Sequence, residues 1–270
     1  MMNVMYKNEL HVHYMTKTTE RQIKGSNITV DNVQQQEAHS PLIRVKQLTK
    51  TYVDGDISHD ALHQVDLTVY PGEYVGVIGK SGAGKTTLIN MLSGVDQSTS
   101  GEVFVNGTAV HTLKEDELAL WRGLNLGVIY QSFNLLPMLS LRDNITLAMD
   151  FCGQYRRGKS EQKALELLRS VELAEHAHKP PAFISGGQKQ RVPIARALAN
   201  DPSLILADEP TGRLDSTTSE TIFEIFENLL KQGKTILMVS HDRSLAKRVD
   251  RVIELADGQI VRDNGGSHDA

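Results

Sequence analysis

Cysteine is nearly missing from the sequence: Cys152 stands alone, which excludes an internal disulfide and fits a reducing compartment. It reads as a buried or idle thiol. Equally missing is any apolar run near the roughly 20 residues needed to cross a bilayer. The longest runs, "TILMVS" and "SLILA", have the length of strands. Nor does the opening stretch "MMNVMYKNELHVHYMTKTTE" hold the continuous apolar segment of a secretory leader. The chain is therefore expected in the cytoplasm, with any membrane role exerted through a partner. Positive charge is not in excess either: the formal net charge is −4, so nucleic acid is not an expected partner. With 40% apolar and 23% charged residues over 270 positions, the rest is globular in composition. That length holds one substantial body, or a core bearing a smaller lobe.

Residues 1–40 are polar, include "QQQ" and lack helical or strand periodicity, so a disordered extension is expected there. His11 and His13 within it read as solvated, and Met5 and Met15 offer alternative starts. The folded body should span residues 41–262, leaving 263–270 as a flexible tail. "LIRVKQL" and "HQVDLTVY" alternate apolar and polar residues, with Val65, Leu67 and Val69 on one face, as half-buried strands do. "GEVFVNG" adds a strand closing on an Asn-Gly turn. "EYVGVIG", "SLILAD" and "KTILMVS" are near-continuous apolar runs, the pattern of parallel strands buried on both faces. Helices fall between them. Ser160 is expected to cap "EQKALELLRSVEL", whose stripe is Ala164, Leu168 and Val171. "SETIFEIFENLLKQG" carries a second stripe through Ile222, Ile225, Phe226 and Leu229 and stops at Gly233. Strands alternating with helices predict an α/β core. The stretch of about 132–195 lacks strand patterning and is expected to form a helical subdomain.

"GKSGAGKT" runs from Gly79 through Lys80, Ser81, Gly82, Ala83, Gly84 and Lys85 to Thr86, matching G-x-x-x-x-G-K-[ST]. The glycines let the backbone wind tightly enough to aim successive N–H groups at phosphate oxygens. A helix starting near Lys85 adds its positive end. Lys85 would reach the β- and γ-phosphates, and the Thr86 hydroxyl would hold Mg²⁺. The same template recurs at "GQYRRGKS", Gly153 to Ser160. Context separates the two: Gly79 follows the apolar run "EYVGVI" and precedes a helical stretch, whereas Gly153 follows "NITLAMDFC", no buried strand. The second match reads as a basic solvated loop.

"SLILADEP" sets Asp208 and Glu209 directly after a buried strand, at the sheet edge where open α/β proteins bind ligands. Asp208 suits support of Mg²⁺, and Glu209, pointing elsewhere, suits polarising an attacking water. His241 follows "KTILMVS" and should emerge at the same edge, able to donate to a γ-phosphate.

Together with these, "ISGGQKQR" resembles the signature of the ATP-binding-cassette (ABC) family, usually "LSGGQ". The motifs stand in the family's order, and the resemblance covers Ile43 to about Val261. It implies a P-loop NTPase fold with a mainly parallel sheet, an antiparallel β subdomain and an α-helical signature subdomain. Gln131 in "GVIYQ" resembles the Q-loop, a further contributor to Mg²⁺. Asp215 in "PTGRLD" resembles the D-loop, Tyr52 takes the place of the aromatic that stacks on adenine, and Thr87 ends the ATP-binding loop. The resemblance further implies a homodimer packed head-to-tail, in which Ser185, Gly186, Gly187 and Gln188 of one chain close on ATP held by the other. "LGVIYQSFNLLP" and "LADEPTGRLD" look most like the lipoprotein-releasing and macrolide-efflux type.

The expected function is an ATP-hydrolysing subunit driving a membrane permease from the cytoplasmic face of the cell membrane. The alternative is a soluble or force-transmitting ABC ATPase that moves no solute. A docking site for the permease is expected in "SFNLLPMLSL", through Phe133, Leu135, Leu136, Met138 and Leu139. Three positions depart from the family pattern: Ile184 for leucine, Arg213 for asparagine and Pro193 for alanine. With Ser185 as cap, Pro193 lies past the first helical turn, where proline costs about 3 kcal/mol or bends the helix.

Overall fold

A computed structural model describes residues 40–212 and 214–265. The expectations placed on residues 1–39, on Arg213 and on residues 266–270 fall outside it. The chain enters through a long hairpin, β1 (Ile43–Asp54) and β2 (Ile57–Val69), then β3 (Tyr74–Ile78) and helix α1 (Lys85–Ser93). Next come β4 (Ser100–Val105), β5 (Thr108–Ala109), α2 (Glu115–Asn125) and β6 (Leu126–Ile129). Three helices follow without a strand: α3 (Leu141–Phe151), α4 (Lys159–Ser170) and α5 (Gly186–Ala197). The end is β7 (Leu204–Asp208), α6 (Ser216–Lys231), β8 (Thr235–Ser240), β9 (Arg251–Ala256) and β10 (Gln259–Asp263).

Two sheets result. β2-β1-β4-β5 is antiparallel, and Asn106 and Gly107 turn its last hairpin with φ of 49° and 73°, the expected Asn-Gly turn. The other sheet has the order β10-β9-β3-β8-β7-β6, parallel except for β10. Its central strands are buried throughout, and alternate residues feed two cores. Val75, Val77, Leu204, Leu206, Leu237 and Val239 face the core shared with α1 and the antiparallel sheet. Tyr74, Ile78, Ile205, Ala207, Ile236 and Met238 face the core under α3 to α6. This two-sided burial is why these strands read as unbroken apolar runs.

Ser160 does not cap α4. That helix starts one residue earlier, at Lys159, behind Gly158 with φ 80°. Ser160 is buried instead, its hydroxyl accepting the Arg156 N–H at 2.8 Å. The stripe of Ala164, Leu168 and Val171 is buried as expected. The second glycine-lysine match follows α3, a helix, so it lacks the strand a phosphate loop needs. The fold also reaches further than residue 262: β10 includes Asp263, and Asn264 exchanges hydrogen bonds with the Val252 backbone at 3.0 and 2.6 Å. α5 is continuous through Pro193, which is buried.

Candidate functional site

β3 leads directly into the loop of residues 79–84. Gly82 and Gly84 adopt φ of 81° and 101°, which a residue with a Cβ enters only with strain. Gly79 is required for another reason: a Cβ there would stand 2.3 Å from the Leu255 carbonyl oxygen. Lys80 and Ser81 are exposed at the tip, and Ala83 is buried beneath it. Gly84 caps α1 without a side-chain acceptor and no acid occupies the first turn, so the helix's positive end is left open. Lys85 is buried and donates to the carbonyl oxygens of Gly79 and Lys80, both at 2.9 Å. The loop is thus folded round its own lysine.

β7 runs beside β8 and ends on Asp208, whose Oδ2 accepts the Thr86 hydroxyl at 2.9 Å. Burial, with the neighbouring Glu209 charge, pushes the Asp208 carboxyl above its ordinary range despite that hydrogen bond. Glu209 does point elsewhere. Its φ of 47° lies in the left-handed region, unusual for a residue with a Cβ and a form of strain that clusters at active sites. The twist carries its carboxylate to three partners: Gln131 Nε2 at 3.0 Å, His241 Nδ1 at 3.0 Å and Lys85 Nζ at 3.7 Å. Gln131 follows β6, His241 follows β8 and Lys85 opens α1, so three strand-linked segments converge on one acid. His241 turns to Glu209 here while remaining exposed.

The signature residues form a second centre. Ser185 caps α5 through a reciprocal box: its hydroxyl accepts the Gln188 N–H at 3.2 Å while Gln188 Oε1 accepts the Ser185 N–H at 2.9 Å. Among the described residues these hydrogen bonds run to each other and to His176, and none reaches the phosphate loop. Asp215 caps α6, accepting from Thr218 N at 2.9 Å and Thr218 Oγ1 at 2.8 Å, bonds that hold its carboxyl below the usual range. Thr218 in turn leans on Gly187, where an added Cβ would meet its methyl at 2.8 Å.

Residues not singled out from the sequence join the centres. Gln190, buried on α5, donates to the Pro210 carbonyl at 2.6 Å and ties the signature helix to the loop after Glu209. Arg196, on the same helix, donates to the carbonyl oxygens of Asn134 at 2.5 Å and Phe133 at 3.3 Å, holding the segment after Gln131. Neither contact leaves a trace in local sequence spacing. Tyr52 lies on β1, 41% exposed, its phenol donating to Asp96 Oδ2 at 2.9 Å. Cys152 is half-buried, and burial pushes its thiol up, as suits an idle thiol.

A glycine loop turning a parallel strand into a helix, with a buried carboxylate on a nearby strand reaching the loop's hydroxyl, defines a P-loop nucleotide-binding protein of the α/β class. Known proteins narrow this. Residues 62–212 match the family model described as ABC transporter. The MacB macrolide export ATP-binding/permease protein of Psychrobacter arcticus is 44% identical over 223 residues, 83% of this chain and 33% of that protein. The ABC transporter ATP-binding protein MJ0796 of Methanocaldococcus jannaschii is 42% identical over 228 residues, 82% of this chain and 96% of that one. A dimeric structure of the MJ0796 cassette in a post-hydrolysis state, bound to ADP and Pi, has 40% identity and a TM-score of 0.77, covering 83% of this chain and 100% of that one. The chain belongs to the ABC transporter family. It spans about a third of the length of the MacB relatives.

Proposed function

We propose that the chain is the ATP-hydrolysing subunit of an ABC transporter, working as a head-to-tail homodimer on a membrane permease at the cytoplasmic face of the membrane. The observation that carries this reading is the meeting of Gln131, His241 and Lys85 on Glu209, beside the phosphate loop but apart from the signature. Glu209 is the general base for an attacking water, with Gln131 and His241 fixing its carboxylate until a γ-phosphate draws them away. Lys85 exchanges its loop carbonyls for phosphate oxygens. The free end of α5, headed by Ser185, Gly186 and Gly187, supplies backbone N–H groups to the nucleotide on the partner chain. Each site is then incomplete until two chains meet, so nucleotide controls dimer closure. Domain boundaries follow the same reading: a body from residue 41 onward, with α3 to α5 as the signature subdomain.

Thr86 and Asp208 present adjacent oxygens at 2.9 Å, one a hydroxyl and one a buried carboxylate, a donor set that suits a hard cation such as Mg²⁺. Gln131 would complete the protein's share, and the ion would neutralise phosphate charge.

No helix among the described residues is long and apolar enough to cross a membrane, and in this reading the permease is gripped through a surface of the cassette. Leu136 and Met138 are exposed in the expected docking segment, Met138 at 76%. An adjoining cavity of about 620 Å³ is lined by Leu120, Val128, Tyr130, Phe151 and Arg196. Phe133 is half-buried and its carbonyl binds Arg196, so the exposed pair makes the cleaner probe. Leu136→Asp/Met138→Asp should free the subunit from membranes while ATP affinity and melting temperature stay near wild type. Retention of the folded variant on a co-expressed permease would exclude this surface.

A further inference from the structure

Lys50 and Tyr52 stand two residues apart on β1 and so share one face of the hairpin. The Lys50 ammonium lies over the Tyr52 ring, 4.8 Å from its centroid. The same nitrogen reaches Asp96 Oδ1 at 2.8 Å and the Gln97 carbonyl oxygen at 2.8 Å. Asp96 lies just past the C-terminal end of α1, the helix that follows the phosphate loop, and its other oxygen accepts the Tyr52 phenol hydrogen bond at 2.9 Å. Oδ1 also accepts the Gln97 N–H at 2.7 Å, so both carboxylate oxygens are used. The Thr87 hydroxyl on α1 approaches the phenol as well.

This is not an ordinary surface ion pair. The Lys50 side chain is only 12% exposed, although the residue sits in the half of the hairpin nearer its turn. Lys50 and Asp96, from separate segments, meet at a single ring: the ammonium over its face and a carboxylate oxygen at its phenol. One face of the ring is closed by the ammonium and its tip is fixed by the carboxylate, yet 41% of the residue stays accessible. A tyrosine free to swing about its side-chain torsions would lose that freedom on stacking; a ring already held loses little, and the saving appears as affinity.

We propose that Lys50 and Asp96 are positioning residues that pre-set Tyr52 as the platform for the nucleotide base. The proposal rests on the reading that Tyr52 receives the base. Lys50 backs the ring from one side and leaves the other for a purine. Asp96 ties the platform to the element that holds the phosphates, so base and phosphates are gripped at a fixed separation. With the phenol spent on Asp96, the platform acts by stacking and not by hydrogen-bonding the base.

The test must separate base from phosphate. Isothermal titration calorimetry of the full chain, with magnesium present, compares ATP with inorganic tripolyphosphate. Tyr52→Ala should weaken ATP by about ten- to a hundredfold, the range of lost base–aromatic stacking. Lys50→Met and Asp96→Ala should each weaken ATP by about three- to tenfold, the range of one cation–π contact or hydrogen bond. Tripolyphosphate affinity should hold in all three, and Lys50→Arg should retain ATP affinity. In steady-state assays the loss should fall on KM, with kcat near wild type. Wild-type ATP affinity in both Lys50→Met and Asp96→Ala, with Tyr52→Ala weakened, would overturn the clamp alone. Equal loss of ATP and tripolyphosphate would overturn it too, reducing the pair to a staple of the phosphate loop. Wild-type affinity in Tyr52→Ala would instead remove the underlying reading of Tyr52.

Discussion

Gly186 and Gly187 are neighbours in sequence with opposite surroundings, and adding one methyl group to each should change stability in opposite directions. At Gly186 an added Cβ meets nothing within 4 Å. Alanine there should stabilise the unliganded chain by about 0.5 kcal/mol, because it removes backbone freedom from the unfolded state. At Gly187 the Cβ stands 2.8 Å from the Thr218 methyl and 3.2 Å from its hydroxyl. Thr218 cannot turn away, since its hydroxyl and N–H both bond to Asp215 and a β-branched side chain has few alternatives. Overpacking of this kind costs about 1–3 kcal/mol, against which the helical gain is smaller. Gly187→Ala should therefore lose about 1 kcal/mol, or roughly 2–4 °C in melting temperature for a chain of this size. Thermal melts of nucleotide-free protein by circular dichroism give the comparison. Gly187→Ala/Thr218→Ser, which removes the obstructing methyl, should recover the loss. ATP turnover should fall in all three variants, because both glycines abut the partner's nucleotide in the proposed dimer. A Gly187→Ala melting temperature equal to or above that of Gly186→Ala would refute the packing argument.

Pro193→Ala restores an N–H inside α5, so the melting temperature should rise by several degrees, up to the roughly 3 kcal/mol a mid-helix proline costs less the lost burial of its ring; an unchanged or lower value in the same melts would show the ring to be a fitted part of the core. Asp208→Asn keeps an acceptor for Thr86 but removes a desolvated charge. Nucleotide-free protein should gain about 0.5–2 kcal/mol, as removal of functional strain commonly gives, while magnesium-dependent ATP binding by calorimetry is lost.

The strands that carry the site were legible because burial on both faces leaves little room for polar residues: "EYVGVI", "SLILAD" and "KTILMVS" became β3, β7 and β8. α6 was legible from its stripe of Ile222, Ile225, Phe226 and Leu229, all buried. β6 is only Leu126–Ile129, too short for periodicity to distinguish. α2 buries just Leu118 and Trp121, too few for a stripe. Ser160 looked like a cap because serine suits that role, but a glycine in positive φ two residues earlier had already started the helix. In the site, Lys85, Thr86, Asp208 and Glu209 followed from local pattern with a mechanical reason. Gln131, Asp215 and Tyr52 rested on family resemblance alone. Lys50 and Asp96, 46 residues apart, each look like a solvated charge until the fold brings them to one ring.

The central claim is that Glu209 supplies the base for hydrolysis while the nucleotide itself joins two chains. It is tested most directly by the mass of Glu209→Gln in ATP and magnesium, measured by size-exclusion chromatography with light scattering alongside turnover. Glutamine keeps hydrogen bonds to Gln131 and His241 within reach but cannot take the proton, so turnover should fall by about 10²–10⁴, the usual share of a general base. ATP affinity should persist, and the variant should accumulate as a dimer that wild type, hydrolysing its ATP, does not hold. Near-normal turnover in Glu209→Gln, or a monomer at saturating ATP, would contradict the account.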